Sequence, residues 1–330
     1  MASVERFDHY MDRCLYDPAS GFYSSGGGVA GRRRGDFITS PEVGPLFADV
    51  LAKAIDCWWV ELDRPATLRV YDVGTGPGTL SKGLARADGI SAQARQVVGI
   101  DTALPEPNNA LPDDLDGAIV LANELADNVP FRIVERRTET EWFELYVAGR
   151  ADANGDTQLH EQWTQIDDPR SERPWFDLAV GNRAPLLDQA RHWVTDVLAR
   201  KPAKLVLFDY GAPTTAELAE RGGWLRTYRH HERGDNPLIE PGHWDITVDV
   251  AIDQLPPPGH LSTQADFLSR WGIAELVTEG DAYWAAHAHA PNLDAIRMRS
   301  RSTECAALTD PAGLGSWFVG EWGERTSPEN

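Results

Sequence analysis

The sequence is poor in residues that form disulfides or metal sites. Its 330 residues include three cysteines, Cys14, Cys57 and Cys305, which are far apart and show no C-x-x-C spacing. This spacing excludes a disulfide framework and a zinc knuckle, and it favours a reducing compartment. His287 and His289 are two residues apart, so they diverge on a helix and do not form an i, i+4 metal pair. We therefore predict no metal.

Long apolar stretches are also missing. No run of apolar residues approaches the length of a membrane span, and the first dozen residues already carry several charges. An export signal would instead need an uninterrupted apolar segment near the start. We therefore predict no membrane span and a cytoplasmic location.

Positive charge is scarce. Lysine and arginine number 31 against 51 aspartates and glutamates, which gives a formal net charge of −20. A nucleic-acid backbone requires a clustered positive surface, so the charge argues against nucleic acid as the main partner. An acidic protein is compatible with a cationic substrate, although an acidic surface also serves solubility.

The most informative segment is a glycine-rich turn that follows a short apolar strand. Asp72 ends the strand, and Gly74, Gly76 and Gly78 follow at alternate positions. Glycine permits positive φ and close approach of a ligand. A dinucleotide fingerprint needs a third glycine where Thr79 stands, and a P-loop needs a lysine that is absent. The pattern is typical of class I methyltransferases, which bind S-adenosylmethionine here, although a tight strand-to-helix turn is the simpler alternative.

Two further strand ends support the cofactor prediction. Asp101 closes the next strand, in the place where an acid takes the ribose hydroxyls. Asn123 and Glu124 follow a later apolar strand, at the position where the reacting methyl faces the substrate. We therefore predict S-adenosylmethionine as the cofactor, with Asp72, the three loop glycines, Asp101 and Asn123 in its binding site.

The order of apolar segments predicts an α/β fold. Buried-strand patterns at residues 68–73, 96–100, 118–122, 204–208 and 245–252 are separated by helical patterns at 4–15, 40–62, 79–87, 184–199, 263–271 and 281–297. Short strands at 131–136, 141–147 and 157–163 indicate an antiparallel insertion. The predicted fold is a class I, Rossmann-like methyltransferase sheet with an N-terminal helical segment and this insertion.

The length favours one large domain with an elaboration, or two domains. We predict an N-terminal helical cap at residues 1–66 and a methyltransferase core at 67–255. The insertion lies in that core at about 131–183, and residues 256–330 complete the core. The antiparallel insertion is also suited to a homodimer interface.

Several strings resemble the MidA-like methyltransferases, in order, over roughly residues 7 to 255. They are Tyr10-Met11, Cys14-Leu15-Tyr16-Asp17-Pro18 and Gly21-Phe22-Tyr23; Gly35-Asp36-Phe37-Ile38-Thr39-Ser40-Pro41-Glu42; Asp72 to Leu80; Asn123-Glu124 with Asp127 and Pro130; Phe208-Asp209-Tyr210-Gly211; and Gly242-His243-Trp244-Asp245-Ile246-Thr247. The resemblance implies a methyltransferase that acts on a protein arginine. Mitochondrial members of this family assist the assembly of respiratory complex I.

The candidate site residues depend on the acceptor. If it is an arginine guanidinium, Glu124 and Asp127 are the paired carboxylates that could hold its planar fork. If it is a hydroxyl or carboxylate of a small molecule, His243 is the best-placed base or orienting group. Ser40 and Glu42 begin a helix whose N–H groups could meet the cofactor's carboxylate.

Three functions stay open from the sequence. The first is a protein arginine methyltransferase, in which a respiratory complex I subunit is one candidate substrate. The second is a small-molecule N- or O-methyltransferase, which is suggested because Leu125-Ala126 replaces an aromatic pair of the family. The third is a non-catalytic S-adenosylmethionine-binding assembly factor.

Overall fold

The structure of the protein, a computed structural model, describes residues 4–24, 39–101, 110–151, 157–166, 174–229, 232–234 and 236–323. Residues 35–38 of the family string that precedes Thr39 lie outside this part of the chain.

The described strands and helices are numbered here in chain order. The strands are β1 (Val4–Arg6), β2 (Leu68–Val73), β3 (Arg95–Ile100), β4 (Ile119–Asn123), β5 (Arg132–Arg136), β6 (Trp142–Ala151), β7 (Thr157–Gln165), β8 (Arg183–Leu186), β9 (Lys204–Asp209), β10 (Gly211–Ala212), β11 (Leu225–Arg229), β12 (Glu232–Gly234), β13 (Asp245–Val248), β14 (Val250–Ala251), β15 (His260–Thr263) and β16 (Phe318–Trp322). The α-helices are α1 (Phe7–Tyr16), α2 (Ser40–Val43), α3 (Leu46–Glu61), α4 (Thr79–Arg86), α5 (Asp188–Ala199), α6 (Thr215–Arg221), α7 (Gln264–Arg270), α8 (Ile273–His287) and α9 (Leu293–Leu308).

A six-stranded sheet forms the centre of the fold, in the order β3-β2-β4-β9-β16-β15. The first four strands are parallel, whereas β16 runs antiparallel to both β9 and β15. β4 and β9 are buried along almost their whole length, which explains their continuous apolar sequences. The carboxyl ends of β2, β3, β4 and β9 therefore meet at one edge.

The second sheet is antiparallel and contains most of the predicted insertion. Its strand order is β1-β6-β5-β8, and β7 also pairs with β6. The first described strand belongs to it, because Val4–Arg6 pairs with residues 146–148 of β6. The predicted division of the chain into three segments stays a prediction.

Apolar helices cover the central sheet. The ring of Phe208 in β9 packs edge to face against Phe47 of α3 and Phe267 of α7, with ring centres 5.4 and 5.1 Å apart. All three side chains are fully buried. Phe208 therefore joins two covering helices to the strand that leads into the candidate site.

The helix predicted at 4–15 begins only at Phe7, and three further predicted helices are also wrong in their extent. The helix predicted at 40–62 is two helices, because Gly44 is extended and the Glu304 carboxylate accepts a hydrogen bond from the Leu46 N–H. The helix predicted at 184–199 begins only at Asp188, since residues 183–186 pair with β5 instead. The helix predicted at 281–297 is divided between α8 and α9, with Asn292 capping the second.

The strand predicted at 245–252 is also interrupted. The chain forms β13 and then β14, and a 3₁₀ turn at Ile252–Gln254 follows. β13 pairs with β11, whereas β14 pairs with β10, so the two halves belong to different small sheets. Asp249 lies at the change of partner.

Truncation of the Phe208 ring tests this packing. We expect Phe208→Ala to lower the free energy of unfolding by about 3 to 5 kcal/mol, because the cavity left between α3 and α7 cannot collapse fully. Urea denaturation measures the change. Ile90→Ala is the control, because that residue is 66% exposed. Its truncation should change the free energy of unfolding by no more than about 0.5 kcal/mol. Equal effects of the two substitutions would contradict the packing described.

Candidate active site

A cavity of about 700 Å³ opens at the edge where the parallel strands end. Residues after β2, β3, β4 and β9 line it, together with side chains from α1, β11, β13 and the segment before β16. A crevice at the carboxyl ends of parallel strands is the usual ligand site of an open α/β sheet.

The glycine loop forms one wall of the cavity. Gly74, Gly76 and Gly78 have φ values of 73°, 49° and 73°, which is the left-handed region that glycine adopts readily. A Cβ on Gly76 would meet no protein atom within 4 Å, whereas one on Gly74 would lie 3.0 Å from the Leu125 side chain. The backbone at Gly76 is therefore open to a ligand.

Asp72 fixes this loop from beneath. Its side chain is buried, and Oδ2 accepts hydrogen bonds from the hydroxyls of Thr75 (2.8 Å) and Ser81 (2.6 Å). Burial raises the pKa of the Asp72 carboxyl, and the two hydroxyl donors oppose that rise. The carboxylate thus joins the turn to the first residues of α4.

Three other predicted cofactor residues line the same cavity. Asp101 follows β3, Asn123 ends β4, and Glu42 of α2 accepts a hydrogen bond from the Thr79 hydroxyl at the start of α4. Asn123 donates from Nδ2 to Glu124 Oε1 at 3.0 Å. Its Oδ1 is buried and has no hydrogen-bond partner among the described residues, so it can accept from a ligand.

Ser40 lies behind the wall and does not line the cavity. Its hydroxyl is fully buried and donates to Gln264 Oε1 at 2.8 Å. The backbone of Ser40 hydrogen-bonds the Glu124 carboxylate. Thr39, not Ser40, occupies the N-cap position of α2. Ser40 therefore contacts a predicted catalytic side chain rather than the open space of the cofactor wall.

Glu124 projects from a strained position just after β4. Its φ is 54°, a conformation that residues other than glycine rarely adopt and that is concentrated at functional sites. Burial raises the pKa of its carboxyl well above the ordinary value, and the nearby charge of Asp127 adds to the rise.

Asp127 is the second predicted catalytic acid, and two hydroxyls hold it. Its Oδ2 accepts hydrogen bonds from Tyr210 (2.6 Å) and Thr247 (2.9 Å), while its buried Oδ1 has no partner among the described residues. Burial raises the pKa of Asp127 to about 6, although both hydroxyl donors favour the ionised form.

A third carboxylate lies under this pair. Asp209 is buried at the end of β9, and its Oδ2 accepts hydrogen bonds from the N–H groups of Ala126 (2.9 Å) and Asp127 (3.2 Å). Its Oδ1 accepts one from the N–H of Tyr210 at 3.0 Å. Burial and the charges of Asp127 and Glu124 raise the pKa of Asp209 well above its usual value.

Sequence reasoning missed a second group of residues that line the cavity. The rings of Tyr16 and Tyr23 stack there with centres 5.5 Å apart. Tyr23 donates to the buried Asp245 carboxylate at 3.0 Å, and Asn128 donates to the same oxygen at 3.0 Å. Tyr16, Tyr23, Asp245 and Thr247 belong to the strings that resemble the family, and Asn128 directly follows another residue of those strings. The resemblance was therefore the signal that could have identified these residues.

His243 is a correction. Its ring is exposed and does not line the cavity, and its Nδ1 lies 3.2 Å from the carbonyl oxygen of Pro241 in the same turn. Gly242 has a φ of 81° and packs against the Ser20 carbonyl, which fixes the turn outside the cavity. His243 is therefore not placed to act as a base in this site.

The cavity is strongly acidic. Its lining includes seven carboxylates, from Glu42, Asp72, Asp101, Glu124, Asp127, Asp245 and Asp249. Arg221 and Arg226 also line it, and both form ion pairs with Asp249. Among the described residues, no group of three or more His, Cys, Asp or Glu side chains could hold a metal ion, and no helix could cross a membrane.

The sheet, the glycine turn and the acids that follow β3 and β4 define a class I methyltransferase. Residues 91–265 match the family described as "Putative S-adenosyl-L-methionine-dependent methyltransferase". Because the match covers more than half of the chain, the protein belongs to this family. It is an S-adenosylmethionine-dependent methyltransferase, and the predicted α/β class, enzyme type and cofactor are confirmed.

Known proteins resemble the chain over most of its length. A crystal structure from Burkholderia thailandensis with S-adenosyl-homocysteine bound is 25% identical, with a TM-score of 0.76, and covers 98% of this chain and 89% of its own. The chain is 23% identical to the protein arginine methyltransferase NDUFAF7 homolog, mitochondrial, of Drosophila melanogaster, over 94% of this chain and 79% of that protein. The NDUFAF7 protein of Danio rerio is 26% identical over 80% and 72%, respectively.

Substitution of a loop glycine tests the ligand wall. We expect Gly76→Ala to weaken S-adenosyl-homocysteine binding by more than about tenfold, because a Cβ at residue 76 would occupy the space that the ligand needs beside the protein backbone. Isothermal titration calorimetry measures the affinity. Gly117→Ala is a matched control, since its φ is 68°, a Cβ there also meets no atom within 4 Å, and it lies before the amino end of β4.

Both variants should lose about 1 to 2 kcal/mol of stability through the left-handed backbone. Only Gly76→Ala should lose affinity. Equal affinities in the two variants would show that the open backbone at Gly76 does not face the cofactor.

Proposed function

We propose that the methyl acceptor is an arginine side chain of a protein substrate, and that Glu124 and Asp127 hold it. The observation that carries this proposal is the pair of carboxylates with raised pKa values at the end of β4, one strained and one with an unpartnered oxygen.

The cofactor half is proposed to comprise the glycine loop, Asp101 and Asn123. The open backbone at Gly76 admits a ligand, Asp101 offers acceptors to ribose hydroxyls, and Asn123 Oδ1 accepts one further hydrogen bond. When bound, S-adenosylmethionine supplies an activated methyl group on a positively charged sulfur. The acidic lining, including Glu42, favours that positive charge.

The acceptor half suits a planar cation. An arginine guanidinium stays protonated in proteins and presents its N–H donors in a rigid fork. Glu124 Oε1 and Asp127 Oδ1 are acceptors in the cavity wall, and carboxylates bind such a fork with short, charge-assisted hydrogen bonds. Holding one end of the fork orients the other nitrogen, which is the main requirement for in-line methyl transfer.

Substrate charge would change the state of these acids. In the free protein, burial raises the pKa values of Glu124, Asp127 and Asp209, and the charge of a neighbouring carboxylate adds to each rise. A guanidinium nearby favours the ionised carboxylates, so binding of a cation and loss of protons are linked. A neutral acceptor would lack this coupling.

The names of the relatives support a protein substrate. The Drosophila melanogaster and Danio rerio proteins are both named protein arginine methyltransferases. The family resemblance makes a respiratory complex I subunit the first substrate to test. A cytoplasmic location and a homodimer stay predictions. The relatives are named as mitochondrial, while the unpaired thiols of Cys14, Cys57 and Cys305 are compatible with any reducing compartment.

Removal of either acid tests the acceptor site. We expect Glu124→Gln and Asp127→Asn each to lower methyl transfer to protein arginine by about a hundredfold or more, because each removes a charge-assisted contact at the acceptor. Transfer of a radiolabelled methyl group to lysate proteins, followed by amino-acid analysis for methylarginine, measures this. Affinity for S-adenosyl-homocysteine should change less than about threefold.

Glu161→Gln is the control for these substitutions, because this exposed acid on β7 does not line the cavity. Label that appears only in a small-molecule fraction would replace the proposal with the small-molecule alternative. Cofactor binding without any transfer would favour the assembly factor.

The hydroxyl of Tyr210 provides a pH test. Asp127 must be ionised to hold a cation, so kcat/KM should fall as the pH drops through the pKa of about 6. Tyr210→Phe removes a donor that favours the ionised form, so the pKa rises and the acid limb should move up by about one pH unit. A pH profile of kcat/KM measures the movement.

Tyr16→Phe is the control for the profile, because the Tyr16 hydroxyl donates to the Asn128 carbonyl and not to a carboxylate. Its acid limb should stay in place. A Tyr210→Phe profile identical to the wild type would mean that ionisation of Asp127 does not govern acceptor binding.

A further inference from the structure

A basic cluster, composed of Arg221, Arg226 and Arg233, surrounds Asp249 in the otherwise acidic cavity region. Arg221 Nη2 contacts Asp249 Oδ2, and Arg226 Nη2 contacts Asp249 Oδ1. Arg233, on the neighbouring strand β12, adds a favourable charge interaction with the same carboxylate. Two guanidinium groups thus form ion pairs with one carboxylate, so Arg221 and Arg226 together carry one positive charge more than Asp249 neutralises.

An excess of positive charge is unusual in this acidic cavity. The chain carries a formal charge of −20, and the remaining lining of the cavity contributes six other carboxylates. Neutralising Asp249 requires one guanidinium, and its carboxylate is only 2% exposed. The side chain of Arg221 is 52% exposed although it lines the cavity, so it is accessible to a ligand.

The basic cluster lies beside the proposed acceptor site. Arg226 is directly opposite Thr247 in the β11–β13 ladder, and Thr247 donates to Asp127 at 2.9 Å. The guanidinium carbon of Arg226 lies 5.2 Å from the centre of the Tyr210 ring, whose hydroxyl also donates to Asp127. An extended peptide covers about 3.3 to 3.6 Å per residue, so residues close to the acceptor can reach the cluster.

We infer that Arg221 and Arg226 bind the carboxylate of an acidic residue next to the acceptor arginine in the protein substrate. The inference rests on the proposed function and adds a sequence preference to it. A guanidinium fork is suited to a carboxylate partner because two parallel N–H groups match its two oxygens. Glu124 and Asp127 would recognise the cation, while the basic cluster would recognise the neighbouring anion.

Three peptides and four proteins test this inference. The peptides contain one arginine and differ only in the two residues on each side, which are all Glu, all Gln or all Lys. The proteins are the wild type, Arg221→Glu, Arg221→Lys and Arg229→Glu. Arg229 is the matched control, because it lies on the same strand as Arg226, forms an ion pair with Glu240 and does not line the cavity.

The measured quantity is the ratio of kcat/KM for the Glu peptide to that for the Lys peptide. We expect Arg221→Glu to lower this ratio by about tenfold, since a reversed charge removes an attraction and adds a repulsion. Arg221→Lys keeps the charge but loses the fork, so its ratio should fall less than that of Arg221→Glu, and Arg229→Glu should stay within about threefold of the wild type. High salt should reduce the difference between the peptides.

Three results would overturn the inference while leaving the arginine acceptor intact. They are an unchanged ratio in Arg221→Glu, an equal loss with all three peptides, and a matching loss of S-adenosyl-homocysteine affinity in calorimetry. The second would indicate a structural role only, and the third would indicate that the cluster binds the cofactor. Absence of methylarginine in every wild-type reaction would instead overturn the proposed function itself.

Discussion

The site depends on one interaction, the hydrogen bonding of the Asp209 carboxylate to backbone N–H groups of two chain segments. Its oxygens accept from Ala126 and Asp127 after β4 and from Tyr210 after β9. Because these bonds tie neighbouring strand ends together, they set the position of Asp127 and of the hydroxyl that holds it. A carboxylate is needed here, since an amide at this position would offer fewer acceptors for three donors.

The same crowding explains the electrostatic character of the cavity. Burial alone disfavours the ionised form of an acid, and each additional carboxylate further disfavours ionisation of its neighbours. The fold keeps them in place with hydroxyl and amide donors, such as Ser81 at Asp72, Thr247 at Asp127 and Asn123 at Glu124. A cationic ligand favours the ionised carboxylates instead. The same crowding of acids would therefore make the cavity selective for positive charge.

Local patterns pointed to residues that line the cavity, whereas residues fixed by tertiary pairing were harder to find. The loop glycines and Asp101 could be placed from spacing, because a strand, a turn and a helix follow one another directly. His243 was misplaced because the direction of a turn depends on its packing against Ser20, which no local pattern records. Residues 184–186 were predicted as helix because the strand β5 with which they pair lies about fifty residues away along the chain.

The position of β16 has a consequence for a truncated chain. This strand, Phe318–Trp322, lies between β9 and β15 and is antiparallel to both. The strand that joins β9 to β15 in the central sheet thus comes more than a hundred residues after β9 in the chain. Trp317, which precedes β16, packs against Tyr210 in the cavity wall. A chain that ends before residue 317 would therefore lack both the strand that joins β9 to β15 and this part of the cavity wall.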